Sequence, residues 1–170
     1  MIQLITRDEI LNGLKQYYYC YMFGANLHEY KCDMWPTIFD EVGGIGFLAR
    51  DGSKIVGQMI FIPKKHARHI ALPTSPQNDN IDKTMVIGCL YVLKEYSGKG
   101  IASQMIEKLI DFCRNNGYQR IEACVYPSPP EQVGMNISFF PFRKFGFVLD
   151  KSQEGCEYNS ESRICHLDLN

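Results

Sequence analysis

An excess of charge of one sign is missing. Eighteen Lys and Arg residues stand against nineteen Asp and Glu, a formal net charge of −1. A general nucleic-acid-binding surface needs a basic excess, so that class is excluded, a local basic groove aside. Long hydrophobic runs are missing too. No stretch of about 18 apolar residues could span a bilayer. The opening MIQLITRDEI lacks the basic region and apolar stretch of a signal peptide. No membrane partner is expected. The seven cysteines (Cys20, Cys32, Cys89, Cys113, Cys124, Cys156 and Cys165) are odd in number, irregularly spaced and form no CxxC pair. That argues against a zinc site and against a disulfide framework. Cys89 and Cys124 lie inside apolar runs and read as small buried hydrophobes. A cytoplasmic, reducing location fits such cysteine usage. His66 and His69 have no acidic or thiol partner at ligand spacing, so no metal is expected there. Internal repeats and low-complexity tracts are absent.

What remains is an ordinary globular chain. Its 170 residues suit one domain, 1–170, and are too few for two comfortable ones. Apolar residues make up 45% and charged residues 22%. Residues 2–6 read as a short strand. Thr6 then caps a helix, with Glu9 three residues on completing a capping box, and the helix is expected to run to Gly24. Its tyrosine-rich end (Tyr17, Tyr18, Tyr19, Tyr21) reads as core or as a substrate wall. WPTIFDEV (35–42) suggests a second helix with Pro36 in its first turn. Two apolar strands around Asp51-Gly52 read as a hairpin. Residues 64–83 read as a polar loop, solvated and basic.

TMVIGCLYVL (84–93) is nearly continuous in apolar residues, as in a strand buried on both faces. In the next segment Ile101, Met105, Ile106, Leu109, Ile110 and Cys113 recur at three- and four-residue steps, one apolar helix face. Gly117 offers a left-handed cap. RIEACVY (120–126) is the next strand, which should lie parallel to the first with a right-handed crossover. A short helix near Pro141 and a final antiparallel pair, FGFVLD with SRICHLDLN, complete a β-α-α-β-β-β-α-β-(α)-β-β order. That order implies an α/β fold: a mixed sheet with helices on its faces.

Between strand 84–93 and the long helix stands EYSGKGIAS. A strand that enters a helix through glycines leaves the first helical N–H groups unpaired, and these groups with the helix dipole make an anion site. Gly98 and Gly100 clear space for a phosphate, and Lys99 adds a cation at the rim. The stretch is neither GxxxxGK[ST] nor GxGxxG. Taken alone it reads equally as a phosphate cradle or as a structural helix start.

In context it resembles the Gcn5-related N-acetyltransferase superfamily. That family's pattern is L-x-V, a short link, R-G-x-G-[IL]-[GA], a helix, a strand, then Y-x-K-x-G-F. Here it reads Leu90-Tyr91-Val92, Ser97-Gly98-Lys99-Gly100-Ile101-Ala102 and Phe142-Arg143-Lys144-Phe145-Gly146-Phe147. The likeness spans about residues 2–168, with its specificity in 84–147. It implies the acyl-CoA N-acyltransferase fold: a mixed, mostly antiparallel sheet splayed between the fourth and fifth strands, with helices on both faces. It implies an acyltransferase that uses acetyl-CoA, without a metal, to acetylate an amine of a small molecule or of a peptide or protein. Leu90, Tyr91 and Val92 would meet pantetheine. Ser97, Gly98, Lys99, Gly100, Ile101, Ala102 and Ser103 would surround the diphosphate. Asn136 and Phe142 would also border the cofactor. A monomer or a homodimer is compatible with such a fold.

Two positions depart from the pattern. Ser97 replaces the usual Arg or Gln, with Lys99 as the nearby cation. Phe142 replaces a tyrosine that protonates the departing thiolate. A thiolate of pKa roughly 8.5 leaves readily, so an acid helps without being essential. Much of the rate can come from positioning the two reactants, and backbone N–H groups at the splay can polarise the carbonyl. Tyr126 is a replacement proton donor, with Cys89 and Cys124 as alternatives. Cys124 could instead be an acyl-accepting nucleophile. Glu122 is a base candidate or a surface carboxylate, and Asp40 and Glu41 are further base candidates. Two other readings stand beside the enzyme: a non-catalytic acyl-CoA-binding module, motivated by Phe142, and a different nucleotide-binding α/β protein. The amine acceptor is not legible.

Overall fold

A computed structural model describes residues 1–12, 34–67, 72–78, 80–127, 137–151 and 161–169. The tyrosine-rich segment, Cys20, Cys32, His69, Asn136 and Cys156 lie outside them. The elements are β1 (Ile2–Leu4), α1 (Arg7–Asn12), α2 (Trp35–Val42), β2 (Gly46–Asp51), β3 (Lys54–Pro63), α3 (Lys64–Ala67), β4 (Thr84–Val92), α4 (Ile101–Asn115), β5 (Arg120–Val125), α5 (Phe140–Arg143), β6 (Val148–Leu149) and β7 (Arg163–Asp168). Among the described residues the strands form one seven-stranded sheet in the order β1-β2-β3-β4-β5-β7-β6. Its named strand pairs are antiparallel except β4 with β5.

Strand alternation divides the apolar residues between two layers. Phe47, Ala49, Met59, Phe61, Met85, Ile87, Ile121 and Ala123 pack with Met105, Ile106, Leu109, Ile110 and Cys113 of α4. On the opposite face Leu48, Ile60, Ile62 and Val86 pack with Ile10 of α1 and with Trp35, Ile38 and Val42 of α2. Helices therefore cover both faces, as expected from a β4 that is apolar throughout.

The local signals act where they were read. Thr6 N–H donates to Glu9 Oε2 (2.8 Å) and Glu9 N–H to Thr6 Oγ1 (3.2 Å), the reciprocal capping box of α1. Beyond α4, Gly117 takes φ +71°. Tyr118 N–H reaches back to Cys113 O (2.9 Å) and Gly117 N–H to Arg114 O (3.3 Å), which stops the helix and satisfies its last carbonyls.

The 64–83 expectation fails at its start. Residues 64–67 form a helical turn, and Lys64 has no exposed surface. Its Nζ donates to Ser75 O (2.6 Å), Asn78 O (2.8 Å) and Glu122 Oε1 (3.1 Å). Glu122 is therefore not a surface carboxylate. Alternation turns it away from Ile121 and Ala123, but onto a face that residues 72–78 cover. Its second oxygen accepts Ser75 N–H (3.0 Å), and Asn78 Nδ2 (2.9 Å) and Arg120 Nε (3.2 Å) add to the first. The network continues outward through Ser75 Oγ to Asp150 (2.8 Å), which pairs with His166 Nδ1 (2.5 Å). A buried charge survives only when paired and fully hydrogen-bonded, and this pair is.

Candidate active site

The site begins where β4 and β5 part. Their parallel ladder covers Thr84↔Arg120 to Ile87↔Ala123 and then ends. Gly88 follows at once. On its other edge β4 pairs Ile87 with Phe61 and Cys89 with Ile60, so Gly88 is bulged out of register. From Ile87 β4 runs five more residues to Val92, paired among the described residues with β3 alone, about 16 Å of strand. Leu90 and Val92 are half-buried along this stretch, and Tyr91 is exposed. β5 ends at Val125 and Tyr126 turns into a new pairing. Tyr126 N–H donates to Ile137 O (2.8 Å), and Phe139 N–H donates to Tyr126 O (2.9 Å).

The open stretch of β4 leads to the glycine loop. Lys94–Tyr96 make one 3₁₀ turn, then Gly98 (φ +76°) and Gly100 (φ +78°) both sit in the left-handed region. Among the described residues a Cβ on Gly98 would meet nothing within 4 Å, and one on Gly100 only Gln104 Nε2 at 3.8 Å. Backbone sign rather than crowding therefore requires these glycines. The first helical hydrogen bond of α4 runs from Gln104 N–H to Gly100 O (3.0 Å). The N–H groups of Ile101, Ala102 and Ser103 precede it and have no helical carbonyl to meet. The first turn of α4 holds no acidic side chain. Glu95, just before, is tied to Lys54 (3.0 Å). Lys99 Nζ stands 4.4 Å above the Tyr96 ring, whose hydroxyl donates to Asp51 (2.8 Å). The result is a cationic, amide-rich, solvent-open rim that fits a diphosphate, reached by a strand edge that fits an extended amide-containing arm.

The expected catalytic residues fare unequally. Tyr126 lies next to the parting strands, and burial, with Glu161 in second place, raises its phenol above the ordinary value. Such a phenol keeps its proton at neutral pH. Glu122 is spent on Lys64, Asn78, Ser75 and Arg120, and presents no surface to a substrate. Cys124 is disulfide-bonded, so it is neither a free buried thiol nor a nucleophile. An odd count with irregular spacing gave no hint of that pairing, and the bond removes the support that cysteine usage lent to a reducing compartment. Cys89 is half-buried and free of any disulfide, and Gln58 Nε2 donates to its Sγ (3.6 Å). Cys113 and Cys165 are buried.

Asp40 and Glu41 are held in ion pairs. Asp40 binds Arg7 (2.8 Å), and Glu41 binds Lys65 and His66 (2.8 Å to the latter). Hydrogen bonding from Arg7 lowers the pKa of Asp40, and that from Lys65 and then His66 lowers that of Glu41, away from the neutral range a base needs. Phe142 has no exposed surface and packs edge-on against Phe147 (5.1 Å between ring centres), so its ring is part of the core and offers no face to a ligand. Sequence reasoning missed the Lys64–Glu122 network, for which no local signal exists. It also passed over Gly88, although a lone glycine in an apolar strand signals a bulge or a close approach.

Among the described residues no cluster of His, Cys, Asp and Glu could hold a metal ion, and no helix is long and apolar enough to cross a membrane. Comparison of the fold with solved structures finds yncA of Salmonella typhimurium, solved with its cofactor acetyl-CoA. It shares 14% identity at a TM-score of 0.66, covering 100% of this chain and 94% of that one. A GNAT-family acetyltransferase from Staphylococcus aureus Mu50 shares 16% at 0.63, over 100% and 99%. Ribosomal-protein-alanine N-acetyltransferase from Brucella melitensis shares 15% at 0.60, over 99% of each chain. At such identities the likeness is one of fold. No curated protein matches the sequence significantly. The sequence itself matches the model of the acetyltransferase (GNAT) family over residues 8–135, and the chain belongs to that family.

Proposed function

We propose that the chain is an acetyl-CoA-dependent N-acetyltransferase that passes the acetyl group directly to an amine of a small molecule or of a peptide or protein. One observation carries this reading: the ladder between β4 and β5 ends at Ile87 and Ala123, and the freed stretch of β4 leads straight to two left-handed glycines at the head of α4. The family assignment and a fold neighbour solved with acetyl-CoA support it.

In this reading the amides of 98–103 bind the diphosphate, with Lys99 balancing charge. The main chain of Leu90 and Val92 pairs with the pantetheine amides, beside Tyr91. Acetyl-CoA supplies an activated thioester. The chain's own part is to hold the thioester carbonyl at the splay, exclude water, and admit a neutral amine. The amine nitrogen forms the new C–N bond, the C–S bond breaks, and a proton returns to the departing sulfur. Tyr126 is the side chain placed to give that proton; Glu122 and Cys124 do not serve. The amine loses its proton to solvent or to a group outside the described residues.

The test is thiol release from acetyl-CoA, followed with a chromogenic disulfide, across polyamines, amino acids and peptides with free N-termini. Amine-dependent release with at least one acceptor class is the expected result. Tight acetyl-CoA binding with no amine-dependent release from any class overturns the enzyme reading in favour of a binding module, which Phe142 already motivates.

A further inference from the structure

We infer that Leu72 sets the size limit of the acyl group, by closing the inner end of the gap between β4 and β5. The inference rests on the reading of the chain as an acetyl-CoA enzyme. An arm anchored at residues 97–103 and laid along β4 passes Val92, Tyr91, Leu90 and Cys89 before it meets Gly88. The strands rejoin one residue further, at Ile87 and Ala123. The acyl group therefore points at the bulge. Leu72 stands there. It is buried, its N–H donates to Ala67 O (3.0 Å), and it packs in one cluster with Ile60 and Val86.

A Cβ added at Gly88 would lie 2.9 Å from Leu72 Cδ1 and 3.5 Å from Cδ2. Leu72 thus occupies the room that the missing side chain of Gly88 leaves. The segment that carries Leu72 cannot drift, because Ser75 and Asn78 three and six residues on are tied to buried Lys64 and Glu122. A rigidly held leucine over a glycine bulge closes the gap to a group longer than acetyl. Truncating it joins the freed volume to the open backbone of Gly88.

The experiment measures the affinity of wild type and of Leu72→Ala for acetyl-CoA and butyryl-CoA by calorimetry. Wild type should bind acetyl-CoA more tightly than butyryl-CoA. In Leu72→Ala the ratio of butyryl to acetyl affinity should rise by about fifteenfold, the worth of two methylenes admitted to an apolar space. Thermal unfolding confirms that the variant is folded. Where it is not, Leu72→Val with propionyl-CoA decides, with an expected rise of roughly fourfold for one methylene. A ratio that stays at the wild-type value in a folded variant, or a wild type that binds both donors equally, overturns the inference while leaving the acetyltransferase reading intact. A wild type that binds neither donor overturns that reading itself.

Discussion

Phe142 and Tyr126 carry the chemistry question at the scale of single residues. A tyrosine at 142 would place its hydroxyl inside a core where the ring has no exposed surface and meets Phe147 edge-on. Phe142→Tyr is expected to destabilise by about 1–3 kcal/mol in urea unfolding, the cost of burying a hydroxyl without a ready partner. It is not expected to speed transfer. Tyr126 stands next to the parting strands with its phenol raised above the ordinary value, first by burial and then by Glu161. Tyr126→Phe should lower kcat by roughly 10²-fold if that phenol protonates the leaving sulfur. Steady-state kinetics with any accepted amine measures it. An unchanged kcat would mean that solvent supplies the proton.

Elements show which local rules hold without tertiary help. The Thr6–Glu9 box was legible because its three-residue spacing states the geometry outright. Thr6→Ala should cost about 1 kcal/mol at neutral pH. Burial pushes the Glu9 carboxyl up, but hydrogen bonds from the Thr6 backbone and side chain and from Arg50 (2.7 Å to Oε1) outweigh it and hold it below its ordinary 4.5. A depressed carboxyl stabilises above its unfolded value and loses that contribution as pH falls through its folded one. The cost of Thr6→Ala should therefore shrink as the pH falls below the ordinary 4.5, as thermal unfolding at pH 7 and pH 3 would show. The hairpin at Asp51-Gly52, α4 and its Gly117 stop were legible for the same reason: each is written within a few residues. The 64–78 segment was not. Lys64 and Glu122 are 58 residues apart. A polar run reads as solvated until the fold lays it over β5. Cys124 was misread on equal grounds, since a disulfide is a long-range fact.

For the whole molecule, the proposed site lies at β4 and β5, the one parallel pair among the described strands. α4 and the first-face core hold β4 and β5 together as far as Ile87 and Ala123. The Lys64–Glu122 network fixes β5, residues 72–78 and, through Ser75 and Asp150, the β6–β7 pair. Glu122→Gln leaves the Lys64 charge buried without its counter-charge and should destabilise by about 3–5 kcal/mol in urea unfolding. A surface base would give the opposite pattern, lost activity at full stability. The central claim is that the glycine loop binds the diphosphate of acetyl-CoA. Ser103→Glu tests it without threatening the fold, because an acidic residue in a first helical turn favours the helix dipole while it repels a bound phosphate. Isothermal titration with acetyl-CoA is the most direct measurement. Wild type should bind, and Ser103→Glu, at an unchanged melting temperature, should bind at least about tenfold more weakly, since one like charge a few ångströms away opposes a phosphate by well over 1.4 kcal/mol. No heat from wild type at millimolar acetyl-CoA, or equal affinity in the two proteins, would contradict it.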